Sequence, residues 1–425
     1  MIRPAPGPAP GPSPERWDAV VIGAGPAGAL AARALGQLGR SVLLIDRQAF
    51  PRPKVCGCCI NRYALATLDA AGLPGLVHGL GARPLRQLRL LAGGRAASVA
   101  LPRGVALSRQ ALDAALVQAA RDHGVVFRHG VSAKVNQLGT DPNAGHRIDL
   151  GRGRSIRARV VVVADGLGGS SLSGLPEFAV RAEPASHLGL GAVTPGPVSA
   201  PPCSEGTIAM ACGRHGYLGA VLLEDGRVDL AAAISAPAIR EAGGPASAAA
   251  QVLRDAGQDL HDWPLDALAR WRVTPALTRT RPRLTAPGLF VVGDAAGYVE
   301  PFTGEGIAWA LAGGHAVAPL AHQAVHRWLP AQAQAWTRAY HHRIRRRQAG
   351  CRLVAATLRR PRLIRLTVRT LAAAPFLARP LIQRITHPGP PAPGTSPGTS
   401  PGTPTPGTSE TLSPSSGPPP QGSFV

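Results

Sequence analysis

The sequence predicts an α/β fold in which a parallel sheet carries an inserted antiparallel sheet and is followed by helices. A short apolar strand, a glycine-rich turn and an alanine-rich helix follow one another from residue 17. Between about residues 180 and 275 the pattern changes to paired strands, and after about residue 305 it is helical. Short strands that are apolar throughout are typical of a parallel sheet covered on both faces.

The first element pair is a strand over 17–22 and a helix over 26–38, which Gly39 closes. A second strand follows over 41–46 and ends at Asp46. This β-α-β unit occupies about 30 residues, the usual size of a mononucleotide-binding half of a doubly wound sheet.

The turn between strand and helix has glycines at 23, 25 and 28. In such a turn the first glycine permits the tight bend, the second lets a diphosphate approach the backbone, and the third lets helix and strand pack closely. The positive end of the helix then faces the diphosphate. Asp46, eighteen residues after Gly28, can accept hydrogen bonds from ribose hydroxyls. The sequence therefore predicts a Rossmann-like dinucleotide-binding domain.

The middle of the chain predicts the inserted sheet. An apolar strand over 156–163 ends near Asp165 and Gly166, and two strands flank the Asp225-Gly226 turn, a strong hairpin signal. We therefore expect these parts: a disordered segment (1–15), the first part of the dinucleotide-binding domain (16–180), a substrate domain insert (181–275), the second part of the dinucleotide-binding domain (276–325), a helical region (326–387) and a disordered tail rich in Pro, Gly, Ser and Thr (388–425).

A second motif, residues 289–311, favours FAD over NAD. A strand delivers Gly293 and Asp294, and Asp294 can hold a ribitol hydroxyl of an extended flavin. Pro301 then leads into "TGEG" and a helix that begins near Gly306. The helix amino terminus offers positive potential to a reduced, anionic flavin ring.

These motifs resemble the FAD-dependent oxidoreductases of the geranylgeranyl reductase type, which belong to the p-hydroxybenzoate hydroxylase fold. The loop "FPRPKVCGCCIN" (50–61) resembles the family's Lys-x-Cys-Gly loop, and "PFTGEGI" (301–307) resembles its reductase branch. The resemblance implies that Arg109 contacts FAD. The cofactor-binding residues expected from motifs and resemblance together are Gly23, Gly25, Pro26, Ala27, Gly28, Asp46, Arg47, Arg109, Asp165, Gly293, Asp294, Gly304, Gly306 and Ile307.

The resemblance also places Lys54 and Cys56 beside the active site. Cys56 is a candidate proton donor or a group that tunes the flavin, and the alternative is that the three cysteines at 56, 58 and 59 are small residues of a tight loop. Glu305 is a candidate acid or base, and the alternative is a role in starting its helix. Cysteines and histidines at metal-ligand spacing are missing from the sequence, so we expect no metal.

Three functions stay open at this point. The first is reduction of a C=C bond in a hydrophobic, isoprenoid-like substrate, the second is hydroxylation by an FAD monooxygenase, and the third is flavin binding without turnover. The sequence has no second GxGxxG motif, so NAD(P)H would bind transiently as electron donor. The halogenase motif Trp-x-Trp-x-Ile-Pro is not present.

The net charge of +22 comes from 46 Lys and Arg against 24 Asp and Glu. Fourteen arginines lie between residues 327 and 384, where the sequence has no acid. Arg362, Arg365 and Arg369 form a basic stripe beside an apolar stripe of Ile364, Val368 and Leu371. Such a helix either rests on an anionic membrane or docks its apolar stripe on the protein. We expect a cytoplasmic protein that binds a small hydrophobic molecule and no nucleic acid, with peripheral membrane contact as the open alternative.

Overall fold

A computed structural model of the protein describes residues 15–139, 145–266, 270–300 and 304–386. The segments 1–14 and 387–425, which contain nearly all of the two regions predicted to be disordered, lie outside the described residues. Residues 301–303 of the second motif, including Pro301, also lie outside them.

The described residues form eighteen strands and eleven α-helices. The strands are β1 (Arg16–Ile22), β2 (Val42–Asp46), β3 (Cys59–Ile60), β4 (Arg83–Ala92), β5 (Arg95–Ala106), β6 (Val126–His129), β7 (His146–Gly151), β8 (Arg154–Val163), β9 (Arg181–Ala182), β10 (Leu188–Val193), β11 (Thr207–Cys212), β12 (Gly216–Leu222), β13 (Val228–Ile234), β14 (Arg272–Ala276), β15 (Arg279–Thr280), β16 (Thr285–Ala286), β17 (Leu289–Val291) and β18 (Gly297–Tyr298). The helices are α1 (Pro26–Gln37), α2 (Arg62–Ala70), α3 (Leu76–Gly79), α4 (Arg109–Arg121), α5 (Ala236–Glu241), α6 (Pro245–Ala256), α7 (Glu305–His326), α8 (Pro330–Tyr340), α9 (Arg346–Leu358), α10 (Pro361–Ala373) and α11 (Arg379–Thr386).

The first sheet has seven strands in the order β16-β17-β8-β1-β2-β6, with β7 paired to β8. Strand β1 pairs in parallel with both β2 and β8, and β17 pairs in parallel with β8. The central strands are buried along nearly their whole length because helices cover the sheet. The predicted parallel α/β fold is confirmed.

The helices α1 and α7 pack very closely on this sheet. A Cβ added at Gly314 of α7 would lie 2.1 Å from the carbonyl oxygen of Ala27 in α1. A side chain at position 314 would therefore push the two helices apart, and with them the two glycine motifs that the helices follow.

The second sheet has eight strands in the order β14-β10-β13-β12-β11-β4-β5-β3. Its pairs are antiparallel except that β11 runs parallel to β4. The hairpin predicted around Asp225 and Gly226 joins β12 to β13. Alternate residues of these strands face opposite sides. Leu218 and Leu230 pack toward α6, whereas Met210 and Tyr217 face the other way.

The C-terminal helices pack on the second sheet. Ile364 and Val368 of α10 are buried in the cluster that also contains residues of β4 and β11, and Leu371 packs against it. The apolar stripe expected on this helix therefore docks on the protein. Phe376 and Leu377, which follow α10, are more than half exposed, at 59% and 53%.

Candidate active site

The glycine turn after β1 tolerates no side chain at two of its three glycines. Gly23 has a φ of +103°, and a Cβ there would lie 2.3 Å from the carbonyl oxygen of Ala164. A Cβ at Gly28 would lie 1.8 Å from the carbonyl oxygen of Gly23. These glycines are required by packing between α1, β1 and β8.

Gly25 differs from the other two because its free side faces a cavity. A Cβ there would meet only the guanidinium ends of Arg52 and Arg109, each at 3.8 Å. Gly25 is also the residue before α1, so the first free N–H groups of that helix lie beside it. A diphosphate can approach the backbone here, and two arginines stand opposite it.

Asp46, at the carboxyl end of β2, is held from three directions. Its Oδ2 accepts hydrogen bonds from the Ala24 N–H at 2.9 Å and from Arg52 Nη2 at 3.2 Å, and its Oδ1 accepts one from the Gln48 N–H at 2.9 Å. The carboxylate is buried yet lines the cavity. It is therefore fixed in place at the edge of the glycine turn, where a ribose would lie.

A buried acid on α4 orients both arginines. Asp113 accepts two hydrogen bonds from Arg109, at 2.8 and 3.0 Å, and lies 3.2 Å from Arg52 Nη1. Burial tends to lower the pKa of Arg109, but Asp113 and Cys56 raise it well above its usual range. Arg109 therefore stays charged inside the cavity wall.

The cavity has a volume of about 480 Å³ and runs between the two sheets. Fourteen of the seventeen residues predicted for the site line it, and Gly28, Gly293 and Glu305 do not. Gly28 and Gly293 serve backbone packing: a Cβ at Gly293, where φ is +60°, would lie 2.9 Å from the Ala27 Cβ. Glu305 is buried as the first residue of α7.

The second glycine motif forms the other end of the cavity. Lys54 Nζ lies 3.7 Å from the carboxylate of Asp294. A Cβ at Gly304 would lie 2.4 Å from the carbonyl oxygen of Cys59, and one at Gly306 would lie 2.8 Å from the hydroxyl of Tyr298. Gly304, the residue before α7, thus packs directly on the cysteine loop. Ile307 lines the cavity beside it.

The cysteine loop lies between this end and the eight-stranded sheet. A Cβ at Gly191 of β10 would lie 3.0 Å from Val55, and one at Gly57 would lie 3.9 Å from Ala231 of β13. Cys56 hydrogen-bonds with Cys58 and Arg109, and these contacts lower the pKa of its thiol to about 6 despite its burial. These contacts favour the thiolate form of Cys56 over the thiol.

Burial disfavours the charged forms of Lys54 and Cys59. Burial and the nearby Arg109 lower the pKa of Lys54, although Asp294 acts in the other direction. Burial raises the pKa of Cys59 well above its usual value, with a further contribution from the Cys56 charge. The Cys59 thiol donates a hydrogen bond to the Gly57 carbonyl at 2.9 Å and so stabilises the loop.

Sequence reasoning missed four residues of the site. Arg52 and Asp113 form the ion-pair network, Tyr298 covers Gly306, and Asp229 of β13 lines the cavity. Arg52 lies two residues before Lys54 in the Lys-x-Cys-Gly loop, so its place in the sequence indicated that it could reach the site. Asp229 follows the predicted hairpin turn, and nothing in its local pattern separates it from a solvent-facing acid.

The cavity has the features that an extended flavin dinucleotide requires: a glycine turn open at Gly25, an acid at the end of β2 and a second glycine loop at the far end. A sequence model described as the FAD binding domain matches residues 16–324. The chain belongs to this FAD-binding family. It is an FAD-dependent oxidoreductase, as the sequence predicted.

Relatives and solved structures agree with this family. A menaquinone reductase of Mycolicibacterium smegmatis is 29% identical over 328 residues, which are 72% of this chain and 76% of that protein. A digeranylgeranylglycerophospholipid reductase of Methanosarcina mazei is 30% identical over 163 residues, 36% of this chain and 38% of that protein. A geranylgeranyl bacteriochlorophyll reductase-like protein of Thermoplasma acidophilum has a TM-score of 0.68 at 18% identity, covering 87% of this chain and 96% of that one.

The predicted resemblance to geranylgeranyl reductases is thereby confirmed. Within the described part of the chain, no three His, Cys, Asp or Glu side chains are grouped so that they could hold a metal ion. None of the helices in that part is long and apolar enough to span a bilayer.

The residues present fit FAD. Besides the open face of Gly25, the carboxylate oxygen Oδ1 of Asp165 is buried without a hydrogen-bond partner among the described residues, and Asp165 lines the cavity. A buried acceptor of this kind is costly unless something donates to it. A ligand hydroxyl in the cavity would supply that donor.

Proposed function

We propose that the protein is an FAD-dependent reductase that saturates a C=C bond in the isoprenoid chain of a lipid-like molecule. The observation that carries this proposal is the continuity of the cavity, which extends from the glycine turn to an apolar wall of the eight-stranded sheet. That wall includes Leu190, Ile208, Met210, Ala231 and Ala233. The names of the reductases from Mycolicibacterium and Methanosarcina support a substrate of this class.

The chain's own residues bind and orient the cofactor in this proposal. Gly25 and the start of α1 receive the diphosphate, Asp46 holds the adenosine ribose, and Asp294 holds the ribitol chain. Arg109 and Arg52 neutralise the diphosphate from the opposite wall. Bound FAD would supply the hydride, and the protein's part is to hold the ring against the cysteine loop and exclude water.

Cys56 and Lys54 are the proposed groups beside the ring. The Cys56 thiolate lies in the cavity wall, and its charge is compensated by Arg109. Lys54 pairs with Asp294 and closes the same end. Glu305, which does not reach the cavity, is proposed to favour the start of α7 through its charge.

The electron donor is proposed to be NAD(P)H that binds transiently. The described residues contain one parallel sheet with one glycine turn of the dinucleotide-binding kind, and FAD takes that turn. A nicotinamide would then reach the flavin through the open side of the cavity.

Anaerobic turnover tests the proposed reaction. Reduced protein is mixed without oxygen with menaquinone-9 or with a geranylgeranyl lipid, and the products are analysed by mass spectrometry. The proposal expects reoxidation of the flavin and a product whose isoprenoid chain has gained two hydrogens and lost one double bond. Reoxidation that requires O₂, with an oxygen atom in the product, would instead establish the monooxygenase alternative. No reoxidation of the flavin by either lipid would overturn the proposed reductase.

We also propose that the C-terminal helices rest on an anionic membrane surface. Six of the eleven exposed large hydrophobic residues of the described chain lie between residues 353 and 381. They are Leu353, Leu363, Leu366, Phe376, Leu377 and Leu381. The same region is rich in arginine and contains no acid. Exposed apolar side chains among cationic ones suit the interface of an anionic bilayer.

Vesicle flotation tests the membrane contact. We expect the protein to float with vesicles that contain phosphatidylglycerol or cardiolipin, and to float poorly with pure phosphatidylcholine. Replacing Phe376 and Leu377 by Glu should abolish flotation, whereas Leu329→Glu, at a residue 45% exposed outside this region, should not. Equal flotation of both variants would contradict the proposed surface.

A further inference from the structure

Cys56 and Cys58 form a hydrogen-bonded pair of unlike thiols. Cys56 is half-buried and lines the cavity, whereas Cys58 is 2% exposed. Cys58 donates a hydrogen bond to Cys56. This bond raises the pKa of Cys58 well above its usual value and lowers the pKa of Cys56. An accessible thiolate beside a buried thiol is the arrangement of groups that exchange disulfides.

The loop has an unusual backbone conformation at Cys58. Cys58 has a φ of +50°, a conformation that a residue with a side chain rarely adopts. Only Gly57 separates the two cysteines. The Leu107 N–H donates to the Cys58 carbonyl at 3.0 Å, and the Cys59 thiol donates to the Gly57 carbonyl. These two hydrogen bonds hold the loop in place.

Asp229 completes the group. Residues 228, 230 and 232 of β13 belong to the core cluster on the α6 side, so Asp229 faces the cavity with Ala231. Its carboxyl hydrogen-bonds with Cys58, and its Oδ2 is buried without a partner among the described residues. Asp229 is 3% exposed.

Burial and nearby charges together raise the proton affinity of Asp229. Burial, with the Cys56 thiolate nearby, raises its pKa well above the usual value, and Glu224 adds to this. Cys58 and Arg227 act in the opposite direction. A carboxylate with a raised pKa holds a proton more tightly than an ordinary aspartate does, so it can take a proton from a neighbouring thiol and later release it.

We propose that Cys56 and Cys58 are a redox-active dithiol and that Asp229 transfers the proton of Cys58. The pair converts reversibly between two thiols and one disulfide. Its co-reactant is a low-molecular-weight disulfide or thiol that enters the cavity. This inference stands on the cysteine loop and β13, and it does not depend on the proposed reductase reaction.

Oxidation of the pair takes two thiol–disulfide exchanges. The Cys56 thiolate attacks one sulfur of RSSR, the S–S bond breaks, and the released RS⁻ takes a proton from water. Cys58 then gives its proton to the Asp229 carboxylate, and its sulfur attacks Cys56 to release the second RS⁻. That RS⁻ is protonated, Asp229 returns its proton to water, and the net change is two cysteines oxidised and RSSR reduced to two RSH. In the reverse direction protonated Asp229 gives its proton to the sulfur of Cys58 as it leaves.

The test is a redox titration of the full-length protein, with and without added FAD, in mixtures of reduced and oxidised glutathione. Exchange is stopped with acid, the remaining thiols are alkylated in denaturant near neutral pH, and the mass of the peptide that contains the three cysteines is measured. We expect Cys56 and Cys58 to become protected together in one two-electron transition, with Cys59 alkylated throughout. Cys59→Ser should leave the transition unchanged, and Cys58→Ser should leave Cys56 able to form only a mixed disulfide with glutathione.

Asp229→Asn tests the proton transfer. It should slow disulfide exchange at pH 7 by about a hundredfold, a usual contribution of a positioned acid or base. The control Asp225→Asn removes an exposed acid of the same hairpin and should leave the rate unchanged. Independent alkylation of Cys56 and Cys58 at every glutathione ratio, or a disulfide that joins Cys56 to Cys59, would overturn the proposal. Because wild-type protein alone decides this, the result does not depend on whether a variant folds.

Discussion

Arg109 and Asp113 lie one turn apart on α4 and form a buried, two-pronged ion pair, with contacts of 2.8 and 3.0 Å. The same carboxylate also holds Arg52 at 3.2 Å, and Arg52 in turn reaches Asp46 at the end of β2. Asp113 therefore positions both arginines. Arg52 in turn positions Asp46 beside the glycine turn.

Asp113→Asn should weaken both the fold and the binding of FAD. Two buried guanidinium groups would lose the anion that they share, and breaking a buried pair in this way costs about 3 kcal/mol. Urea unfolding of the FAD-free protein measures the loss, and FAD titration measures the weaker binding. Asp122→Asn, at the exposed end of the same helix, is the control. Equal stability of the two variants would show that Asp113 does not organise the site.

Alanine at two glycines of the same turn should have different effects. Gly28→Ala places a Cβ 1.8 Å from a backbone oxygen, so we expect a loss of about 3 kcal/mol in the free energy of unfolding. Gly25→Ala meets nothing closer than 3.8 Å, so the fold should keep its stability while FAD binds at least about tenfold more weakly, or about 1.4 kcal/mol. Denaturant unfolding and FAD titration of both variants measure this contrast. It would be contradicted if Gly25→Ala bound FAD as wild type does.

The reactivity of Cys56 should rise with pH around a midpoint near 6. The hydrogen bond from Cys58 and the Arg109 charge lower its pKa from 9.0 to about 6. Because the folded pKa is the lower one, ionisation stabilises the fold above pH 9, and this contribution is lost as the pH falls toward 6. The rate of Cys56 alkylation by iodoacetamide, read from the peptide mass, measures the midpoint.

Cys58→Ala should move that midpoint upward because it removes the largest contribution to the lowered pKa. Cys212→Ala removes a buried cysteine of β11 that does not line the cavity, and it should leave the midpoint of Cys56 unchanged. A wild-type midpoint near the ordinary cysteine value of about 8.5 would contradict the assignment of Cys56 as a thiolate.

Glu300→Gln should loosen the attachment of the C-terminal helices. Glu300 is 1% exposed, contacts His187 at 3.3 Å and accepts a hydrogen bond from Arg359, the residue after α9, at 3.0 Å. The loss of this acceptor should cost about 2 kcal/mol. Glu183→Gln, in an exposed pair with Arg352, should change stability by no more than about 0.5 kcal/mol.

The same carboxylate predicts a pH dependence. Burial raises the pKa of Glu300, but His187 and Arg359 outweigh it and hold the pKa below its usual value of 4.5. The stabilisation is therefore complete above pH 4.5 and is lost as the pH falls below it. Unfolding of wild type and Glu300→Gln from pH 3 to 7 checks this, and parallel curves would contradict it.

The parallel sheet and both glycine motifs could be predicted because each depends on local signals. A short apolar strand, a tight turn and a helix start are encoded within residues 17–28. The helix expected from Pro26 to Leu38 ends one residue earlier, at Gln37. The hairpin at Asp225-Gly226 also follows from its turn chemistry.

Contacts between distant segments could not be read from the sequence. Asp113 contacts Arg52 across 61 positions, and Asp229 meets Cys58 only because β13 and the cysteine loop face the same cavity. The apolar stripe of α10 was compatible with a membrane or with the protein, and only the neighbouring sheet decides that Ile364 and Val368 are buried.

The central claim is that FAD lies extended from Gly25 and Asp46 to the loop before α7. Equilibrium titration of the full-length protein with FAD and, separately, with FMN, followed by flavin fluorescence, tests it most directly. The account predicts one FAD bound per chain and binding of FMN at least about a hundredfold weaker, since FMN lacks the adenosine half that the glycine turn would hold. Equal affinity for FMN and FAD, or no saturable binding of FAD, would contradict it.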